Sequence, residues 1–274
     1  MKSKNIPFVV KPRAASLKKL AIPYLIHQTY VSHVVPPRMY ASARSWIEKN
    51  PTYEYHFYDN ERCQGLIEQY FDTDTVAAYE KLPLGAFRAD FWRYCCLYIH
   101  GGVYADIDTV CRSPLTKLIK EGDSFIVPRG VLHKTFLYNA FICATAKNPI
   151  TKLMIDTMVR LINNGMVTRD PSVVEVFASV FSAADPSKVN KQTAEIFAIV
   201  GPLGLARALN QLLGRESHAA YSVGRLTSQD IEVRVLRFTK RFGVTAGMRR
   251  ILDTRYEGYF DDQKNSGATH WLSK

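Results

Sequence analysis

The sequence predicts an α/β fold in which a mostly parallel sheet is flanked by helices. Three observations predict it. With 47% hydrophobic and 22% charged side chains over 274 residues, the chain can bury a sizeable core and does not have a disordered composition. The first half alternates strand-like with helix-like periodicity, the order from which parallel sheets are built. Finally, Gly101-Gly102 closes the longest helical pattern directly before an apolar run that ends in two acids.

Residues 1–19 are polar and basic with early prolines and read as a loose extension. The stretch IPYLIHQTY (22–30) is a short apolar strand, and the Pro36-Pro37 pair breaks the chain after it. ASARSWIEKNP (41–51) reads as a helix stopped by Asn50-Pro51, and YEYHFYD (53–59) alternates aromatic with polar residues as a half-buried strand does. Helices follow from about Glu61 to Tyr70 and from about Thr73 to Lys81. In LGAFRADFWRYCCLYIHGG, residues Phe87, Phe91, Tyr94, Cys95 and Tyr98 recur at helical spacing, and VYADID then reads as a strand. SFIVPRG (124–130) and YNAFICATA (138–146) are further strands, while 149–165 and 200–214 are helices. From about Tyr221 onward short apolar runs alternate with basic and Gly-containing turns.

The formal net charge is +11, which favours anionic partners: phosphate-bearing substrates, anionic lipid or nucleic acid. A basic nucleic-acid-binding protein is the reading that charge alone supports, but the basic residues are scattered and no nucleic-acid motif accompanies them. Cys63, Cys95, Cys96, Cys111 and Cys143 are odd in number and lack repeated CxxC spacing, so they read as reduced core thiols and favour a cytoplasmic setting. The run IPFVV is too short for a signal-peptide core, and no stretch approaches the ~20 apolar residues of a membrane span. The expectation is a soluble chain, or one in peripheral contact with an anionic membrane.

Asp106 and Asp108, separated only by Ile107, fall at or just past the end of the VYADID strand, and strand alternation sends them to one side. In open α/β sheets that is where ligands bind. Two neighbouring carboxylates suit a hard divalent cation, Mg²⁺ or Mn²⁺, which in turn holds a diphosphate. An exposed turn with solvated acids explains a lone DxD equally well. The neighbourhood adds weight: on the preceding helix Asp90 and Arg93 share a face at i, i+3, either to fasten the helix or to grip a phosphate or sugar hydroxyl. Arg88 lies on the same helix.

Taken together, IPYLIHQTY, SWIEKNPTYEYHFYDN and GAFRADFWRYCCLYIHGGVYADIDT resemble the DXD sugar-binding region of glycosyltransferases related to the fungal initiating α-1,6-mannosyltransferases, with the large glucosylating toxins more distantly similar. The resemblance is dense over residues 22–112 and thin afterwards, where NAFICATAKNP, VGPLGLARAL and the final THWLSK echo later segments. It implies a GT-A-like, Rossmann-type domain over 20–274, with a nucleotide-sugar part at about 20–150 and an acceptor side at about 151–274. It implies a metal-dependent retaining transferase that moves a sugar from GDP-mannose or a UDP-hexose to a glycan or glycolipid. Asp106 and Asp108 match the DXD pair, the second acid binding Mn²⁺ or Mg²⁺ and the first also meeting sugar or ribose. Asp90, Arg93 and Asn139 match residues around the donor sugar. Tyr30 stands where relatives often carry a base-stacking Trp. His270 matches a C-terminal His that meets the metal or diphosphate, although Trp271 follows it at once. His27 reads first as a hydrogen-bonded core residue and second as a base-site residue. Tyr58-Asp59 reads first as a strand-end turn and second as a ribose contact.

YADIDTV also fits an aspartyl-phosphate phosphatase signature, with Asp106 as nucleophile, Asp108 as general acid and FDD at 260–262 as the later acidic pair. About a hundred residues precede the motif, however, and Asp90 and Arg93 have no role in that scheme.

Overall fold

The structure is a computed structural model that describes residues 3–15, 18–82, 85–130, 134–165, 191–228, 231–239 and 241–265. It is an α/β fold built on one large mixed sheet. Strand β3 (Leu25–Thr29) pairs in parallel with β5 (Glu54–Tyr58) on one side and β6 (Gly102–Ala105) on the other. This parallel core positions the site. Beyond it β6 meets β9 (Phe141–Ala144) antiparallel, β9 meets β8 (Phe125–Pro128), and β8 runs parallel to β11 (Ile231–Thr239). Strand β10 (Gly224–Ser228) pairs with β11, and β12 (Gly243–Ala246), β13 (Arg249–Asp253) and β7 (Val110–Cys111) then extend the sheet antiparallel. Parallel pairing therefore occurs where a helix crosses over, and the hairpin-linked strands are antiparallel.

Side chains alternate across this sheet. Tyr104, Phe125, Val127, Ile142 and Ala144 join one buried cluster, and Val103, Ala105, Ile126, Phe141 and Cys143 join the other. The first cluster is roofed by helices α2 (Asn60–Tyr70), α3 (Thr73–Glu80), α4 (Gly85–His100), α5 (Pro149–Asn163), α6 (Lys191–Val200) and α7 (Pro202–Leu212). Helix α1 (Pro37–Lys49) packs on the second through Met39, Ala43, Trp46 and Ile47. A short helix, α8 (Tyr259–Asn265), follows β13.

The boundaries have local causes. Asp59 and Asp72 cap α2 and α3 by accepting from the backbone N–H of Arg62 and Thr75, and Asn148 caps α5 in the same way. Helix α1 starts at Pro37, four residues before the expected start, because proline suits the first helical turn. Between α4 and β6 the chain reverses at Gly101 and Gly102, whose φ values of 64° and 96° are left-handed.

The N-terminal stretch corrects the expectation of a loose extension. Strand β1 (Lys4–Asn5) pairs with β4 (Val34–Val35), strand β2 (Val9–Val10) pairs with β5, and Ile6 is buried between them. All five cysteines are buried and unpaired. Among the described residues, no helix is long and apolar enough to cross a membrane.

Candidate active site at the end of the parallel core

Strand β6 ends at Ala105, so Asp106 and Asp108 lie on a turn rather than on the strand itself. That turn is closed by the Thr109 N–H and hydroxyl, which both donate to the Asp106 carbonyl at 3.0 and 2.6 Å. Its far end is held from α1: the Ser42 hydroxyl and the Trp46 indole N–H donate to the Thr109 carbonyl at 2.7 and 2.9 Å. On the opposite flank, the Gln28 amide donates to the carbonyls of Ala105 and Asp106, and Tyr55 holds Gln28 in turn. The acids are thus carried on a turn whose backbone groups are tied to α1 and β3.

Helix α4 supplies the cation. Arg93 is almost entirely buried, and its guanidinium bridges two carboxylates, Asp90 Oδ1 at 2.7 Å and Asp106 Oδ1 at 3.1 Å. Its remaining nitrogens donate to the carbonyls of Asn139 at 2.6 Å and Ala89 at 3.3 Å, and its plane lies 4.4 Å from the Tyr104 ring centroid. Burial works against this cation, yet the charges of Asp106 and Asp90 outweigh it and raise its pKa. The Asn139 amide donates to Asp90 at 3.0 Å, and the Tyr104 hydroxyl donates to Asp106 at 2.7 Å.

Burial pushes the Asp90 carboxyl up to about 7 against the pull of Arg93. Asp108 is pushed well above the usual carboxylate range, first by burial and then by the neighbouring charge of Asp106. Arg93 contacts Asp90 and Asp106 directly, whereas it acts on Asp108 only at longer range. The protein therefore does little to offset a negative charge on this second acid, which favours its protonated form.

Asp90, Arg93, Asp106 and Asn139 thus form one connected network, with Asp108 beside it. Tyr30 lies on the same side, within electrostatic reach of Tyr256, Tyr259 and Asp262; burial raises its pKa and Asp262 adds to that. His27 does not join them. It is buried, its Nε2 lies 3.0 Å from the Gly101 carbonyl, and its neighbours are the rings of His56, Tyr58 and His100. Arg88 donates to the carbonyls of Glu80 and Leu82 and so ties α4 to the end of α3. Asp59 caps α2, and the Tyr58 ring packs 4.6 Å from Trp92. His270 and Trp271 lie outside the described residues.

Four residues that sequence reasoning passed over also belong here. Tyr104 carried a signal, since strand alternation puts it on the same side as the residue two further on, Asp106. Tyr138, Arg255 and Tyr259 carried none. Tyr138 and Tyr259 sense the charges of both Asp106 and Asp108, and Arg255 acts on Asp108; the fold brings them in from distant segments.

The phosphatase assignment fits this geometry poorly. The Oδ1 of Asp106 is already shared between the Tyr104 hydroxyl and Arg93, which leaves Oδ2 alone for attack, and the scheme gives Arg93 and Asp90 no role. Asp261 and Asp262 begin a helix after the last strand, and the Asp262 charge acts on Tyr30 and Tyr256.

Comparison with known proteins agrees with the sequence resemblance. Residues 36–125 match the family model of the glycosyltransferase sugar-binding region containing the DXD motif. The chain is 36% identical over 93 residues to the initiation-specific alpha-1,6-mannosyltransferase of Candida albicans, covering 33% of this chain and 24% of that protein. It is 32% identical over 106 residues to an uncharacterized glycosyltransferase of Acanthamoeba polyphaga mimivirus, covering 38% and 42%. It is 33% identical over 104 residues to inositol phosphoceramide mannosyltransferase 3 of Schizosaccharomyces pombe, covering 38% and 29%. The chain thus spans less than half the length of each of these relatives. Among solved structures, the PaToxG glycosyltransferase overlaps 70% of each chain at 19% identity with a TM-score of 0.49. The UDP-bound glycosyltransferase domain of the YGT toxin overlaps 91% of this chain and 87% of its own at 9% identity, also with a TM-score of 0.49.

Proposed function

We propose that this chain is a metal-dependent retaining glycosyltransferase with a GT-A-like arrangement, which moves a hexose from a nucleoside-diphosphate sugar to a glycan or glycolipid acceptor. GDP-mannose is the first donor to test, because two of the relatives above are named as mannosyltransferases; UDP-hexoses are the second. The observation that carries this reading is the guanidinium of Arg93 held between Asp90 and Asp106, next to the under-compensated carboxylate of Asp108.

The residues present fit a divalent cation. Asp108 and Asp106 would hold Mn²⁺ or Mg²⁺. Among the described residues no cluster of three or more His, Cys, Asp or Glu offers an all-protein cage. Such a site suits an ion that shares its shell with phosphate oxygens and water. Once bound, the ion supplies Lewis-acid stabilisation to the departing diphosphate.

The chain's own residues do the rest. Arg93, fixed by four partners, orients the donor, and Asp90 together with Asn139 accepts and donates at the sugar hydroxyls. The ring of Tyr30 packs against the base. The acceptor hydroxyl attacks from the face of the leaving group, and a diphosphate oxygen takes its proton.

The test is a panel of GDP- and UDP-sugars with Mn²⁺ or Mg²⁺, following donor hydrolysis and transfer. We expect metal-dependent turnover of one donor, abolished by chelation. Asp108→Asn should reduce it by about 100-fold or more, the scale of removing a main electrostatic stabiliser. Turnover of a generic phosphate ester with no donor consumed would overturn the assignment.

A further inference from the structure

The segment from Arg237 to Arg250, RFTKRFGVTAGMRR, carries five Lys or Arg residues and no acid in fourteen positions. It forms the end of β11, all of β12 and the start of β13. Val244, Ile251 and Leu252 turn inward to the buried cluster under the sheet, so the hairpin is anchored. Its outer residues are of two kinds. Met248, at the tip between β12 and β13, is fully exposed, and Phe242 is more than half exposed, as is Phe260 at the start of α8. The Arg255 guanidinium lies 4.2 Å from the Phe242 ring centroid and 4.8 Å from that of Phe260, so these rings form one continuous surface with it.

The arginines around this surface divide by their partners. Arg250 is held by Asp253 and by the Arg241 carbonyl, and Arg112 also pairs with Asp253. Arg237, Arg241 and Arg249 are exposed and form no ion pair among the described residues. Each end of β12 thus carries an exposed apolar side chain beside an uncompensated cation, Met248 with Arg249 at one end and Phe242 with Arg241 at the other. A merely solvated basic segment gives no reason for an exposed Met and two exposed Phe rings beside these cations.

We infer that the β12–β13 hairpin, with Phe242 and Phe260, is a docking surface for an anionic lipid membrane. The occupant follows from the pairing of groups. Exposed apolar side chains directly beside uncompensated cations match acyl chains next to phosphate headgroups. A nucleic acid would offer phosphates to the arginines but no apolar partner to Met248, Phe242 or Phe260.

Arg255, two residues past the end of β13 and against the Phe242 ring, acts on Asp108. A membrane bound at the Phe242 end would lie beside the acid site, where a lipid-borne acceptor would be delivered. This second statement rests on the transferase reading, whereas the lipid contact does not.

The test is co-sedimentation with vesicles of phosphatidylcholine alone and with about one-third phosphatidylserine, at rising salt. Wild type should bind only the anionic vesicles and release as salt rises. Arg241→Gln with Arg249→Gln should lower the partition coefficient about 30-fold. Met248→Ser should lower it several-fold at unchanged charge. Arg160→Gln with Lys191→Gln, an equal charge change on helices of the opposite face, should leave it within about a factor of three. Three results would overturn the inference: equal losses in the two double variants, wild-type binding by Met248→Ser, or capture of duplex RNA through these residues without vesicle binding. Donor hydrolysis is measured in parallel without lipid and should be the same in the hairpin variants as in wild type. Its absence from wild type would remove the transferase reading while leaving the vesicle result to stand.

Discussion

Arg93 shows how one side chain links stability to chemistry. It is enclosed on α4 among aromatic and apolar neighbours, where an unpaired cation would be expelled, and only the two carboxylates and two carbonyls around it make burial tolerable. The reverse also holds. Removing the guanidinium leaves Asp90 recessed with one amide donor and no cation to hold its charge, so it must take up a proton, and Arg93→Met should cost about 3–5 kcal/mol of folding stability in urea titrations, the scale for breaking a buried pair. Tyr104→Phe removes only one donor to an acid that keeps Arg93, and about 1 kcal/mol is expected. If Arg93→Met melted like Tyr104→Phe, the bridge would not be the structural centre of the site. The i, i+3 spacing of Asp90 and Arg93 was legible in the sequence because it depends only on helical geometry. That Arg93 also reaches Asp106 and the Asn139 carbonyl depends on how α4, β6 and β9 stack, which no local pattern encodes.

Between elements, the join of α4 to β3, β5 and β6 governs the response to pH. His27 on β3 touches His56 on β5 and His100 at the end of α4, with ring centroids 5.7 and 6.0 Å apart. Burial, aided by the charges of His56 and His100, lowers His27 from 6.5 to about 3. His56 and His100 are also lowered, mainly by burial, although Glu54 opposes this at His56 and Lys147 adds to it at His100. The unfolded chain therefore takes up protons near pH 6.5 that the folded chain refuses. Stability is complete above that pH and falls as pH drops toward about 3, at about 1.4 kcal/mol per pH unit from His27 alone. His27→Gln, which can still donate to the Gly101 carbonyl, should flatten this slope in urea midpoints measured between pH 4.5 and 7.5, and an unchanged slope would contradict it. The same join depends on Gly102. A Cβ there would lie 2.7 Å from the Leu25 carbonyl oxygen in a left-handed conformation, so Gly102→Ala should destabilise the fold by about 2 kcal/mol or more. Sequence periodicity located helices α1 to α5, helix α7 and the β3, β5, β8 and β9 strands to within a few residues, since each has its own apolar pattern, but it passed over α6 and α8. It could not find β1, β2, β4 and β7, two residues long, because their pairing is with distant partners rather than with a local repeat. Nor could it end β6 at Ala105, because that boundary is set by Thr109 and α1.

At the scale of the molecule, the parallel core brings the acids to one edge, and the C-terminal segment returns so that Arg255 and Tyr259, together with Tyr138 ahead of β9, act on them. The site is thus built from segments more than a hundred residues apart, and what binds it should stabilise the whole fold. Burying Asp108, beside the charge of Asp106, costs folding energy when no cation is near, and that cost is returned when a cation and a diphosphate arrive. Ligand present at a hundred times its dissociation constant adds about 2.7 kcal/mol to stability. In a domain of this size that corresponds to a rise in Tm of about 5 °C or somewhat more. Scanning calorimetry should therefore show Mn²⁺ with GDP or UDP raising Tm by about that amount, and either component alone raising it less. Asp108→Asn should act in two directions at once. It relieves the repulsion, so the ligand-free variant should melt no lower than wild type, and it removes a metal ligand, so the shift with Mn²⁺ and nucleotide should vanish. A variant that melts lower and still responds fully to Mn²⁺ would mean that Asp108 is a structural acid, with the cation bound elsewhere.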